Sequence, residues 1–324
     1  GATGEFLKFI EKSPVDGYTN GVVGGVSASG NGKLLLKLAI PLKHASDTRV
    51  AGSYQFISNQ INPGPYIPNL DRVNGTLNFT EASMKLEDVS AQTLGGPVVI
   101  HSVAQPGGEM RVTATGKANL DNLRKLAVAR GNEARVFEGK VLVRPTNAAQ
   151  VWTQYLRGST DWRAVINLRK KMTDVSVESS LQGIVSDLPA PFAKTAAEAI
   201  PFRFTRRATD VQRDVLYLSY GKVMAAQFSR LQDNAGQYQP ERGVVHFGAT
   251  SYLQPGKAGV MVSGSLPLLE LDQWRSLRSM LGQSGGEMPG LELAGIDLRI
   301  GELDLLGRRF NDTALTTTMR DGEW

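Results

Sequence analysis

A chain of 324 residues with 41% hydrophobic content can bury a sizeable core, which excludes wholesale disorder. Its 36 Lys and Arg against 31 Asp and Glu leave a net charge of +5, a mild basic bias. The basic groups Arg169-Lys170-Lys171, Arg203 with Arg206-Arg207, and Arg308-Arg309 lack interleaved aromatics. They read as solvated strand ends and turns, and no nucleic-acid partner is expected. The absence of cysteine excludes disulfides, thiolate metal sites and cysteine catalysis.

In chain order, Gly4–Lys12 is predicted as a short helix carrying Phe6, Leu7, Phe9 and Ile10, stopped before Pro14. Leu34, Leu36, Leu38 and Ile40 then alternate with Lys33, Leu35, Lys37 and Ala39, a strand pattern. Val73, Gly75, Leu77 and Phe79 alternate with Asn74, Thr76 and Asn78 in the same way. Asn119–Ala129 places Leu120, Leu123, Leu126 and Ala127 at helical spacing. Phe137, Gly139, Val141 and Val143 return to the strand period. Asn147–Leu156, with Trp152 and Tyr155, reads as another helix capped by Thr146 or Asn147.

Strands over Asp174–Ser179 and Val215–Leu218 flank the least generic stretch, Gly183–Ile200, where a Pro-Ala-Pro loop precedes a predicted apolar helix through Ala199. Leu271–Leu281 is a helix carrying Trp274 and Leu277, and Ile296, Leu298 and Ile300 alternate as a final strand. One apolar and one wet face per strand is the mark of antiparallel sheet open to water on one side. Gly30-Asn31-Gly32, Gly95-Gly96-Pro97, Pro106-Gly107-Gly108 and Pro255-Gly256 supply turns. Gly52, Gly75, Gly116 and Gly139 inside strand patterns suggest bulges or strong bending.

The strand Val141–Arg144, the Trp152 helix and Gly158-Ser159-Thr160-Asp161-Trp162 resemble Val260–Leu266 followed by the Trp274 helix. Such a repeat, stacked in series, would give one elongated body with approximate sub-units 1–131, 132–256 and 257–324. Two compact β-sandwiches are the alternative.

Catalytic signatures are missing. His44, His101 and His246 stand far apart, so no zinc spacing exists. Gly25–Gly30 has the wrong spacing for a nucleophile elbow, and Gly30-Asn31-Gly32 is a turn with no dinucleotide helix behind it. Carboxylates such as Glu81, Glu87, Asp88, Glu302 and Asp304 read as solvated strand and turn residues, although a facing pair could hydrolyse sugars. We therefore expect no enzyme activity, no metal and no cofactor. No run approaches the ~18 apolar residues that span a bilayer. Beginning at Gly1-Ala2-Thr3-Gly4 without initiator Met or signal peptide, the chain is expected to be a piece of a longer protein.

Several stretches carry a family resemblance. They are Gly158–Trp162, Gly183-Ile184 with Ser186–Lys194, Thr3–Phe9 with Ser13-Pro14, Asp47–Tyr54, Gly75–Glu81 followed by Leu94–Pro97, and Leu271–Trp274. Together, in this order, they resemble the YhdP family, the large AsmA-like proteins of the Gram-negative envelope. The resemblance implies an inner-membrane protein held by an amino-terminal anchor not contained in this sequence. It further implies a β-rich periplasmic body that conducts phospholipid towards the outer membrane along a hydrophobic groove.

The physics of that role is simple. At about 0.8 kcal/mol per methylene, exposing roughly 30 methylenes of a two-tailed lipid costs on the order of 20 kcal/mol. A strongly curved sheet, polar outside and apolar inside, would cover the tails, each strand adding about 4.8 Å of channel. The expected fold is thus mainly β: an elongated, strongly curved antiparallel sheet with a few short helices. Candidate groove-lining residues are Leu34, Leu36, Leu38, Leu77, Phe79, Val141, Val175, Val177, Leu298 and Ile300. Trp152, Phe192 and Trp274 would plug or edge the groove. A non-catalytic structural or assembly module that binds other envelope proteins is the alternative, with exposed apolar patches in place of a groove.

Overall fold

A strand whose residues alternate apolar and polar has one dry and one wet face, and this rule builds nearly all of the molecule. The computed structural model describes residues 1–12, 25–39, 49–64, 67–80, 83–105, 109–131, 135–137, 140–142, 154–169, 172–233, 236, 238–250, 253, 256, 258–282 and 293–318. Helix α1 (Thr3–Glu11) precedes β1 (Ser27–Ala39), β2 (Arg49–Asn62), β3 (Leu70–Thr80), β4 (Met84–Thr93), β5 (Gly96–Ala104) and β6 (Met110–Asn119). Helix α2 (Leu120–Gly131), β7 (Arg135–Phe137), β8 (Lys140–Leu142), β9 (Leu156–Arg169), β10 (Met172–Ser179) and β11 (Ile184–Ser186) follow. Then come β12 (Phe202–Ala208), β13 (Arg213–Tyr220), β14 (Met224–Gln232), β15 (Tyr238–Phe247) and β16 (Gly259–Glu270). Helix α3 (Leu271–Gly282) leads to β17 (Leu293–Leu305) and β18 (Arg308–Thr318).

One sheet of 16 strands holds all of these except β7 and β8, which pair with each other. Its order follows the chain from β1 through β6, then β9, β10 and β12 to β18, while β11 pairs with β9. The sheet is not closed into a barrel: β1 and β18 are its two ends. Among the described residues no second sheet of comparable size faces it.

Three expectations are revised. The sheet is mixed, because β16 pairs in parallel with both β15 and β17. A parallel neighbour requires a crossover, and α3 supplies the one between β16 and β17. Phe137 and Val141 do not share a single strand: Phe137 in β7 pairs with Lys140 in β8, and Gly139 and Val143 lie outside the described residues. Gly183–Ile200 contains no helix; beyond β11 it makes a turn at Ala190-Pro191, a bridge at Lys194 and a turn at Ala196-Ala197. Pro201 explains this, since it drives Ile200 to extended backbone and leaves too few residues to propagate a helix. The predicted helix at Asn147–Leu156 falls mostly outside the described residues, and Leu156 opens β9.

The chain divides into two compact units, residues 1–118 with 161–177, and residues 119–160 with 178–324. In the first, registers place Tyr54 opposite Leu34 and Leu77, Val98 opposite Ala91, and Ile100 opposite Val89 and Ala114. These side chains share one face, and all but Leu34 join a buried cluster that extends to Ile166, Leu168 and Val175. Helix α1 lies on the β1–β3 end of this face, where Phe6 stacks on Tyr54 with ring centroids 4.0 Å apart.

A polar knot pins that helix. The amide of Asn59, fully buried, donates to Thr3 Oγ1 at 2.7 Å and to the carbonyls of Ser29 and Asn31. Thr3 Oγ1 shares a further hydrogen bond with Tyr54 Oη at 2.8 Å, and the Tyr54 hydroxyl also reaches the Gly1 carbonyl at 3.4 Å. Asn59 Oδ1 in turn accepts the Ile57 amide.

The strand glycines have a packing reason. A Cβ on Gly52 would lie 2.4 Å from the Phe79 ring, and one on Gly32 would lie 2.5 Å from the Tyr54 ring. In the second unit a Cβ on Gly243 would sit 2.4 Å from the Phe228 ring. Each aromatic thus lies flat over a glycine on the adjacent strand, a device that protects the bare backbone of bent sheet. Gly75, at φ +129°, sits at the β3–β4 bulge instead.

Candidate functional site

The second unit presents the less completely covered apolar face. Registers define cross-strand rows on it. Phe204, Leu218, Ala226, Val245, Val262 and Ile296 make one row. Two residues along each strand, Phe202, Tyr220, Met224, Phe247, Gly264 and Leu298 make the next. On the other side, Arg206, Leu216, Phe228, Gly243 and Val260 are in register. Most of the large members of these rows, Phe204, Leu216, Leu218, Phe228 and Val262 among them, are half-buried. Leu266, Leu298, Ile300 and Leu303 pack as a closed cluster near α3.

The two ends of these rows differ in chemistry. At one end the segment after β11 crosses the face. Phe192 projects among Tyr220, Phe247 and Trp274, with ring centroids 5.7, 6.5 and 5.8 Å away. Both backbone groups of Ala190 are held by side chains: its N–H donates to Glu270 Oε2 and its carbonyl accepts from Trp274 Nε1, each at 2.8 Å. Lys194 closes the strap, exchanging backbone bonds with Ser186 and donating its buried Nζ to the carbonyls of Ile184 and Thr195. Burial pushes the Lys194 amine below its usual range and the Tyr220 phenol above its own.

At the other end lies an ionic node. Asp214, whose side chain is 0% exposed, accepts from Arg206 Nε at 2.6 Å and from Arg230 Nε and Nη2 at 2.8 and 2.7 Å. Tyr238 lies beneath both guanidiniums, 5.5 and 4.9 Å from ring centroid to Cζ. This corrects the sequence reading of Arg206 as a solvated strand-end residue. The signal was available: Phe202, Phe204, Arg206 and Ala208 alternate on one face, while Arg203 and Arg207 point to the other. No sequence argument paired Arg206 with Asp214 and Arg230, because register alone brings them together.

The predicted lining residues fall into distinct environments. Leu34, Leu36 and Leu38, on the end strand β1, are 40%, 39% and 51% exposed. Leu77, Phe79 and Val175 are buried in the first unit's cluster, with Val177 half-buried against it. Leu298 and Ile300 are buried in the cluster near α3. Val141 belongs to β8, its side chain outside the described residues, as is Trp152. Phe192 and Trp274 meet each other as above.

Of the carboxylates considered for sugar chemistry, Glu87, Glu302 and Asp304 have cationic or amide partners, and Glu81 lies outside the described residues. Arg309 pairs with both Glu302 and Asp304, and that bond holds the Asp304 carboxyl below its usual range. Glu87 is held low by Lys85, with Asn78 also donating to it. Among the described residues no group of three His, Asp or Glu side chains is placed to hold a metal. No helix among them is long and apolar enough to cross a membrane.

The model of the YhdP protein family matches residues 1–324. No curated protein and no solved structure matches the chain. The family match covers every residue, so the chain belongs to the YhdP family of Gram-negative envelope proteins.

Proposed function

We propose that this chain is a non-catalytic periplasmic segment of a phospholipid conduit, in which the dry face of the sheet shields acyl chains from water. The observation that carries the reading is the set of half-buried apolar rows on β12–β17, continuous across strands and covered by no second sheet among the described residues. Hydrocarbon contact without dense polar anchoring suits a ligand that slides. The sites of contact are the half-buried rows of the second unit and Leu34, Leu36 and Leu38 on β1. Leu77, Phe79 and Ile300, at most 4% exposed, serve as core. The chain purified from a Gram-negative host should yield phospholipid in an organic extract read by mass spectrometry; lipid-free protein with an intact fold refutes the reading.

A structural or assembly module that binds other envelope proteins is the second reading. It is favoured by apolar residues on the wet side: Leu35, Val99 and Val103 are 60%, 43% and 59% exposed. It predicts no co-purified lipid, and loss of a protein partner when these three are made polar.

A further inference from the structure

A buried ionic cluster on an apolar face needs a reason, since two guanidiniums and a carboxylate lose hydration there and such clusters seldom stabilise a fold on balance. The node formed by Arg206, Asp214 and Arg230 carries more positive than negative charge. Arg230 is the informative member. Its Nε and Nη2 are engaged by Asp214, which leaves three of the five N–H donors of a guanidinium, two of them on Nη1, without a described protein acceptor. Its side chain is 20% exposed where that of Asp214 is 0% exposed. The two-point bond to Asp214 fixes the plane of the guanidinium, and the Tyr238 ring centroid lies 4.9 Å from its Cζ.

Position adds the second argument. Along β13, Asp214 lies six residues from Tyr220, or roughly 20 Å at ~3.3 Å per residue, with Leu216 and Leu218 between them on the same face. The hydrocarbon depth of one bilayer leaflet is about 15 Å, half of the ~30 Å core. The apolar stretch between the ionic node and the aromatic cluster is therefore long enough for one acyl chain. A fixed guanidinium with open donors at the end of such a stretch matches the fork geometry that binds phosphate oxygens.

We infer that Arg230, oriented by Asp214 and Tyr238 and backed by Arg206, is the seat of a phosphate ester whose acyl chains lie over the adjoining rows. This inference rests on the conduit reading and specifies which end of the lipid goes where.

Isothermal titration of the delipidated chain with dioctanoyl phosphatidic acid, dioctanoylglycerol and inorganic phosphate tests it. Phosphatidic acid should bind about tenfold tighter than the glyceride, as charge-assisted hydrogen bonds of this kind do. Arg230→Gln should abolish that preference while leaving glyceride binding in place. Equal binding of the two lipids by the unaltered chain overturns the phosphate seat but leaves the conduit standing. Failure of both lipids to bind overturns the conduit and the seat together. A preference that survives in folded Arg230→Gln also overturns the seat. Inorganic phosphate competing as well as phosphatidic acid assigns the cluster to a free anion and overturns the lipid assignment. If Arg230→Gln does not fold, Arg230→Lys decides: the charge without the planar fork should weaken the preference severalfold, and an unchanged preference counts against the seat.

Discussion

The indole N–H of Trp274 donates to the carbonyl of Ala190 at 2.8 Å, tying the first turn of α3 to a strap that begins more than eighty residues earlier. The same strap carries Phe192 onto the Tyr220 and Phe247 row, so this bond, with that of Glu270 to the Ala190 amide, helps hold the cover over that end of the apolar face. Trp274→Phe keeps an aromatic ring but removes the donor and part of the ring volume packed on Phe192. It should cost about 1–3 kcal/mol. Amide hydrogen exchange over residues 187–200 should rise more than exchange in β12–β14, because the loss is local.

Asn59 organises the seat of α1 through bonds to Thr3, Ser29, Asn31 and Ile57. Asn59→Ala strands those groups away from water and should destabilise the chain by about 1–3 kcal/mol. Denaturant unfolding followed by circular dichroism measures the loss. An Asn59→Leu variant should be no better, since the buried carbonyls remain unpaired.

Gly52→Ala tests the ring-over-glycine packing. The new methyl meets the Phe79 ring at 2.4 Å, and overpacking of this kind costs about 1–3 kcal/mol. Gly25→Ala is the control, with nothing within 4 Å of the added carbon and no left-handed backbone to strain. Thermal melts should separate the two variants clearly.

Asp272 gives a pH-dependent prediction. Its carboxylate accepts the amides of Gly307 and Leu306 at 2.8 and 2.9 Å, and these bonds hold its carboxyl below the usual value. A carboxyl depressed in the folded state adds stability that is present above its unfolded-state value of about 3.9 and lost as pH falls through the folded value. Asp272→Asn should therefore melt earlier than the unaltered chain at neutral pH. The difference should shrink as the pH drops below about 4.

Much of this was legible in the residues. The alternation at Val73–Phe79 and Ile296–Ile300 defines strands with one dry face, and the helical spacings at Gly4–Lys12, Asn119–Ala129 and Leu271–Leu281 mark α1, α2 and α3. The Gly183–Ile200 segment misled because the apolar residues after its Pro-Ala-Pro loop read as a helix. Glu198 does accept the Thr195 amide, but Pro201 follows before a second turn can form.

By itself the sequence determined the strand period, the identity of the dry face and the family, since each depends on residues close together or on motifs read in order. Only the tertiary structure decided which apolar residues become core. Leu34 and Leu77 carry the same pattern and face the same Tyr54 from opposite sides, yet one is 40% exposed and the other 4%. The difference is that β1 ends the sheet and β3 lies inside it. Strand periodicity specifies a side chain's face but not its neighbours across the sheet. For the same reason Arg206, Asp214 and Arg230 became a cluster only when register brought three strands together.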